Sequence, residues 1–144
     1  MILPDVNLLI YSIDTSSPFH AQTREWWDTT LSSTQWVGLC YPCILGFVRV
    51  VTNPRVVEMP LSVDAALAHV EQWMAQPYTA MLLPTDRHWD ILGRLLRALG
   101  VGANLTTDAD IAAHGIEHGF VVHSNDADFG RFPGLQWANP LADA

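Results

Sequence analysis

The sequence predicts an α/β fold, a single domain in which helices cover both faces of a parallel sheet. Three observations carry that reading. Short apolar segments alternate with longer stretches of helical spacing. Cap and turn residues mark the junctions between them. Apolar residues make up 49% of the chain against 15% charged, enough for a real core. Strands alternating with helices imply right-handed crossovers and a sheet buried on both sides. The 144 residues suit one domain, spanning 1–144, and a chain of that length buries roughly 68–70% of its unfolded surface.

In order, Met1 to Leu3 is a short apolar strand ended by Pro4-Asp5, and Val6 to Ile13 follows as helix. Ser17-Pro18 reads as an N-cap with proline at the first helical position, opening a helix to about Leu31. Its Trp26 and Trp27 suit core packing better than base stacking. Trp36 to Cys40 is a second strand. Ile44 to Thr52 is a buried helix, apolar nearly all round, which Asn53-Pro54 ends. Arg49 inside it needs an anionic partner, unless its aliphatic stem carries the guanidinium out to water.

Ser62 caps a helix to about Ala75, with Asp64 in the first turn to suit the dipole. Ala80 to Leu83 is a third strand. Thr85-Asp86 opens a helix striped with Trp89, Leu92, Leu95, Leu96 and Leu99, and Gly100 ends it. Arg94 and Arg97 lie off that stripe, toward solvent. Thr107-Asp108 opens the next helix, which runs to about His118 with Gly119 as its stop. Phe120 to His123 is a fourth strand and Gln136-Trp137 offers a last short one.

Charge narrows the function classes. Fifteen acidic residues face seven basic ones, all of them arginine, for a net charge of −8. That balance opposes unassisted nucleic-acid binding, which clustered Lys and Arg normally supply. A phosphate-handling function must therefore recruit cations or confine its arginines to one rim. No run approaches about 18 uninterrupted apolar residues, so no membrane span is expected. Asp5 interrupts the first apolar run and no basic leader precedes it, so a cytoplasmic location is expected.

Ligands in open α/β sheets bind at the carboxyl ends of strands. Asp5 follows the first strand and Asp126 the fourth, so both belong at that edge. Asp108 heads a helical stripe completed by Ile111, Ala112 and Gly115, and points to the same rim. Asp128, two residues after Asp126, falls on the same side if the link is extended. Asp110 shares a different stripe with His114 and Glu117 and is expected to face water. Hard oxygen ligands without His or Cys suit Mg²⁺ or Mn²⁺, which polarise a phosphodiester, activate water and stabilise the leaving oxygen. Two carboxylates about 5 Å apart repel by about 3 kcal/mol at an effective dielectric of about 20. Asp is also a common cap and turn former; Asp108 alone would fit that role, whereas Asp5, Asp108 and Asp126 together favour a site.

Other motifs compete. Cys40-Tyr-Pro-Cys43 has the spacing of a redox pair, but also of two small thiols packed at a strand-to-helix turn. His114-Gly-Ile-Glu-His118 matches a metallopeptidase zinc motif, weakened by Gly115 and by Gly119 after it. His20, His69, His88 and His123 form no usable spacing. A phosphoryl-accepting receiver domain would need a lysine, and the chain has none.

Asp5-Val-Asn-Leu-Leu, Asp108-Ala-Asp-Ile-Ala-Ala and Ser124-Asn-Asp126-Ala-Asp128-Phe, with Arg49 and Phe132-Pro-Gly-Leu, carry a family resemblance. The chain resembles PIN-domain ribonucleases, specifically toxins of the VapC family from bacterial type II toxin–antitoxin systems. The resemblance covers essentially the whole chain. It implies a five-stranded parallel sheet, Mg²⁺- or Mn²⁺-dependent cleavage of RNA, a homodimer and inhibition by a cognate antitoxin. Asp5, Asp108 and Asp126 match the family's metal positions, with Asp128 ancillary. Ser124 matches a hydroxyl that orients Asp5, and Asn7 lies beside the same site. One departure stands out: the family usually places a Glu three residues before the Arg, and here that position is Gly46. Two readings follow, a working nuclease or a degenerate PIN module that binds RNA or a partner without cutting. On the second, restoring Glu at position 46 is expected to create activity.

Overall fold

The strand synthesised first lies at the centre of the sheet. In the computed structural model, which describes residues 1–100 and 102–142, β1 (Ile2–Pro4) runs between β2 (Val37–Leu39) and β4 (Val121–His123). Beyond them lie β3 (Thr79–Met81), outside β2, and β5 (Trp137–Ala138), outside β4. All pairings are parallel and the order is β3-β2-β1-β4-β5, the expected five-stranded sheet. Ile2 aligns with Val37 on one side and Val121 on the other, and Pro4 with His123.

Six α-helices connect these strands among the described residues: α1 (Val6–Tyr11), α2 (His20–Ser32), α3 (Tyr41–Val51), α4 (Val63–Met74), α5 (His88–Leu99) and α6 (Leu105–His118). The chain moves outward from β1 to β3, then α5 and α6 return it to the far side of β1. Right-handed crossovers therefore put those two helices on the opposite face from the earlier ones. The reversal of strand order falls between β1 and β4, and such a switch point opens a crevice at the strands' carboxyl ends.

Leu3, Leu39 and Val122 are wholly buried in the sheet. Over one face the ring of Trp73 in α4 meets Trp27 of α2 at 5.7 Å and Phe47 of α3 at 5.0 Å, both edge-on. Trp27 is thus core, as expected, while Trp26 stacks on His123 at 5.7 Å. Gly100 and Gly119 close α5 and α6 in the left-handed region, at φ 72° and 71°, where glycine pays no Cβ penalty. No helix among the described residues is long and apolar enough to cross a membrane.

Several helix starts differ from expectation, each for a local reason. Ser17-Pro18 does not open α2; the Ser17 hydroxyl accepts from the Phe19 amide at 3.1 Å, a side-chain turn that delays the helix to His20. Thr85 acts alike, taking the Arg87 amide at 3.2 Å, so α5 starts at His88 rather than Thr85-Asp86. In contrast, α3 starts early. Cys40 caps it in extended conformation and Pro42 fills the first turn, where a missing N–H is harmless. Helix α6 starts at Leu105, before Thr107, so Asp108 lies inside its first turn. The stripe of α5 also shifts: Ile91 and Leu95 are buried, whereas Trp89 is 77% exposed.

Candidate active site at the sheet edge

Asp5 ends β1 and caps α1. Its Oδ1 accepts the Val6 amide at 2.7 Å, satisfying one of the orphan donors of the helix start. Its Oδ2 accepts from the Ser124 hydroxyl at 2.7 Å, and the residue is buried. Burial pushes its carboxyl above the usual range, the Ser124 and Val6 bonds pull it back, and the charge of Asp126 adds to the rise.

Ser124, wholly buried just beyond β4, is the hub. While donating to Asp5 it accepts from Asn7 Nδ2 at 3.1 Å and from the Asp126 amide at 2.9 Å. A hydroxyl has one proton and two lone pairs, so its capacity is filled. The loop is held from the far strand too. Trp137 Nε1 donates to the Ser124 carbonyl at 3.2 Å, and Asn139 Nδ2 to Asn125 Oδ1 at 3.0 Å. These supports carry no signal in the sequence, because nothing in local spacing shows that β5 lies beside β4.

Asp108, Asp126 and Asp128 complete the group. Asp126 and Asp128 are not joined by the extended link that their spacing suggests. A 3-10 turn over Ala127–Arg131 begins there, with the Asp128 amide donating to Asp126 Oδ1 at 2.9 Å. The Asp108 carboxyl is raised to about 6, by burial first and then by the charges of Asp5, Asp126 and Asp128. Carboxylates from three separate segments thus repel one another around Asp108, which is the electrostatic setting of a divalent cation. No three of these acids bring ligand oxygens within 4.8 Å of one another. Among the described residues, the three-residue group that does meet that spacing is a different one, His88, Asp110 and His114. An all-oxygen donor set this acidic still fits Mg²⁺ or Mn²⁺. Arg131 brings its guanidinium to 3.8 Å from Asp128, exposed at the rim.

Two members of α3 bear on the site. Of the two readings of Arg49 the outward one holds: it is exposed, and among the described residues no carboxylate oxygen lies within 4 Å of it. Tyr41, Leu45 and Arg49, four residues apart, form an outward stripe, so α3 is not covered all round. Gly46 faces inward, and a Cβ there would stand 2.9 Å from Val6 Cγ2. The place of the missing Glu is filled by a side chain of α1.

Asp110 is partly open to water, its side chain 34% exposed, but is held by a partner. His88 at the start of α5 bridges two acids of α6: its Nε2 lies 2.6 Å from Asp110 Oδ1 and its Nδ1 2.6 Å from Glu117 Oε1. Glu117 has a fully buried side chain and accepts from the Thr85 hydroxyl at 2.5 Å and amide at 3.1 Å. Burial pushes its carboxyl up, but those Thr85 bonds and His88 outweigh that and hold it below the usual range. His114 is buried, with Nδ1 donating to the Asp110 carbonyl at 2.8 Å. His118 turns elsewhere, to the Leu83 carbonyl at 2.7 Å, so His114 and His118 do not form the zinc pair that the competing motif offered. The thiols of Cys40 and Cys43 are buried 3.4 Å apart as a free pair.

The PIN domain family model matches residues 2–135. Ribonuclease VapC33 of Mycobacterium tuberculosis is 43% identical over 143 residues, 99% of this chain and all of that protein. Ribonuclease VapC37 of the same organism is 41% identical over 142 residues, 99% of each chain. Among solved structures, VapBC-1 from nontypeable Haemophilus influenzae superposes with a TM-score of 0.69 at 16% identity, over 99% of this chain and 100% of that one.

Proposed function

The chain belongs to the PIN-domain family, among the VapC ribonucleases, and from that premise we propose an Mg²⁺- or Mn²⁺-dependent endoribonuclease acting as the toxin of a toxin–antitoxin pair. Its working group is Asp5, Asp108 and Asp126, with Asp128 beside them. The observation that carries this is the junction at the sheet edge, where the Ser124 hydroxyl donates to Asp5 at 2.7 Å and accepts the Asp126 amide at 2.9 Å, with Asp108 raised by burial and by the charges of both acids. The cation supplies Lewis acidity toward the phosphodiester and the attacking water.

The chain's own residues do the positioning. Ser124 and the Val6 amide fix both oxygens of Asp5, so that carboxylate is oriented before any ligand arrives. Asn7 and the Asp126 amide lock the Ser124 hydroxyl in turn. Arg131 stands at the rim to receive a phosphate, and the exposed Arg49 extends that reach along α3. With a net charge of −8, RNA approaches through those few arginines and the bound cation rather than a basic surface. A solved neighbour is VapBC-1, and a cognate antitoxin is proposed here as the partner. One of its cations placed among the acids would satisfy their charge. A homodimer in the cytoplasm completes the proposal.

The test is incubation of the purified protein with total RNA and Mn²⁺, alongside Asp5→Asn. Cleavage by the parent and its loss in the variant is the expected result; equal cleavage in both rejects the assignment. Gly46 keeps a second reading in view, a module that binds without cutting, because α3 contributes no carboxylate. RNA or antitoxin binding without cleavage under any divalent metal supports that one.

A further inference from the structure

We propose that His88, Asp110 and His114 form a second metal site, for a late first-row divalent cation with Zn²⁺ foremost, clipping the start of α5 to α6. It lies outside the carboxylate group and differs from it in chemistry. Two imidazoles and one carboxylate suit Zn²⁺, Ni²⁺ or Cu²⁺, whereas Mg²⁺ seeks oxygen alone.

Geometry supports it from several sides. One ligand atom from each of the three residues lies within 4.8 Å of the others, and the two imidazole rings are 4.5 Å apart. Zn–N and Zn–O bonds of about 2.0–2.2 Å separate tetrahedral ligands by about 3.3–3.5 Å. The His114 Nδ1 to Asp110 Oδ1 spacing is already 3.5 Å. His88 Nε2 and Asp110 Oδ1, 2.6 Å apart, have to open by less than about 1 Å. The Asp110 side chain, 34% exposed, has room to turn. Asp110 and His114 are i, i+4 on one helix and need no rearrangement of the backbone. His114 exchanges its bond to the Asp110 carbonyl for one to the metal. Water at the open side takes the fourth position.

The surroundings of His88 are those of a ligand. Both ring nitrogens face carboxylate oxygens at 2.6 Å, so a proton or a cation must lie in each contact. A metal in place of the Nε2 proton leaves Nδ1–H donating to Glu117. Glu117 is itself immobilised by both donors of Thr85, and Arg87 Nη2 holds its carbonyl at 3.1 Å. A buried carboxylate behind the far nitrogen is the support that metal-bound histidines have.

The probe is Co²⁺ as a spectroscopic stand-in for Zn²⁺, added to the full chain in excess Mg²⁺. One equivalent with the visible absorption of four-coordinate Co²⁺, displaced by Zn²⁺ and unchanged in Asp5→Asn, is the expected result. Zn²⁺ affinity falls at least tenfold in His88→Gln and His114→Gln, and about 10–100-fold in Glu117→Gln. Those substitutions also remove buried hydrogen bonds, so the unaltered protein supplies the second readout. Substoichiometric Zn²⁺ shifts the ring resonances of His88 and His114 and leaves those of His20 and His69 in place. A six-coordinate Co²⁺ spectrum, absorption abolished by Asp5→Asn, or shifts confined to the other histidines overturns the proposal. No RNA enters the experiment, so its outcome is separate from that of the nuclease reading.

Discussion

The Ser124 hydroxyl donates to Asp5 Oδ2 at 2.7 Å across 119 residues of sequence, and it is the only side-chain donor that Asp5 has among the described residues. Both residues are buried, so a lost bond there is not replaced cheaply. Ser124→Ala is expected to cost about 1–3 kcal/mol of stability through the unsatisfied carboxylate. Cleavage falls about 10–100-fold, the usual effect of removing an outer support from a metal ligand. Denaturant melts and RNA cleavage rates check the two effects, and an unchanged rate means that the hydroxyl does not orient the site.

Asp108 sets a pH dependence whose sign follows from its direction. Its folded value, about 6, lies above the ordinary 3.8, so protonation favours the folded protein. The associated stability is present below about 3.8 and is lost as pH rises through about 6. In metal-free protein the Asp108 contribution to the melting temperature is therefore expected to be smaller at pH 7 than at pH 4, and added Mn²⁺ offsets the loss. Asp126→Asn removes one repelling charge and lowers the Asp108 carboxyl, though burial keeps it above 3.8. Carboxyl-carbon NMR titration of the chelated protein, parent against variant, reads this directly.

At Gly46 the packing bears on what an added side chain would do. The family pattern suggests that Glu there creates activity, yet the Cβ alone meets Val6 Cγ2 at 2.9 Å and Cγ1 at 3.1 Å. Valine is stiff in a helix and cannot simply turn aside. Gly46→Glu is expected to lose about 1–3 kcal/mol by overpacking, without a gain in cleavage. Combining it with Val6→Ala recovers part of that loss. Unfolding midpoints of the single and double variants decide.

Cys40 and Cys43 are both fully buried. The hydrogen bond from Cys40, then burial, push the Cys43 thiol well above its ordinary range. A redox thiol needs the opposite, an accessible and acidic sulfur. In the native protein a thiol-reactive dye is expected to label neither, with both labelled once denaturant unfolds the chain. Rapid labelling of the folded protein would restore the redox reading.

How much of the molecule is legible in its sequence depends on distance along the chain. Asp5, Ser124 and Asp126 follow strand ends, and the parallel-sheet rule gathers strand ends at one edge. Fold and carboxylates are therefore readable from local pattern. His88 is not, since its partners Asp110 and Glu117 lie 22 and 29 residues away on another helix. Asp110 reads as solvent-facing only if α6 has a single apolar stripe. That helix is covered by α5 as well as by the sheet, so Ile111 and Ala112 are buried on one side and His114 and Glu117 on another. A helix enclosed twice has no single inner face. Arg49 misleads for the converse reason: apolar neighbours imply enclosure, but Leu45 beside it is 61% exposed.

The placing of the first strand at the centre of the sheet has a consequence during synthesis. β1 leaves the ribosome early, but its β4 neighbour, and Ser124 with it, are made more than a hundred residues later. Pairings of such long sequence separation form late, because the loop must close before any contact rewards it. A nascent chain holding only Asp5 and Asp108 has neither the serine that orients the first nor the third carboxylate. On the nuclease reading proposed above, the site therefore cannot assemble on the ribosome before Ser124 and Asp126 have emerged.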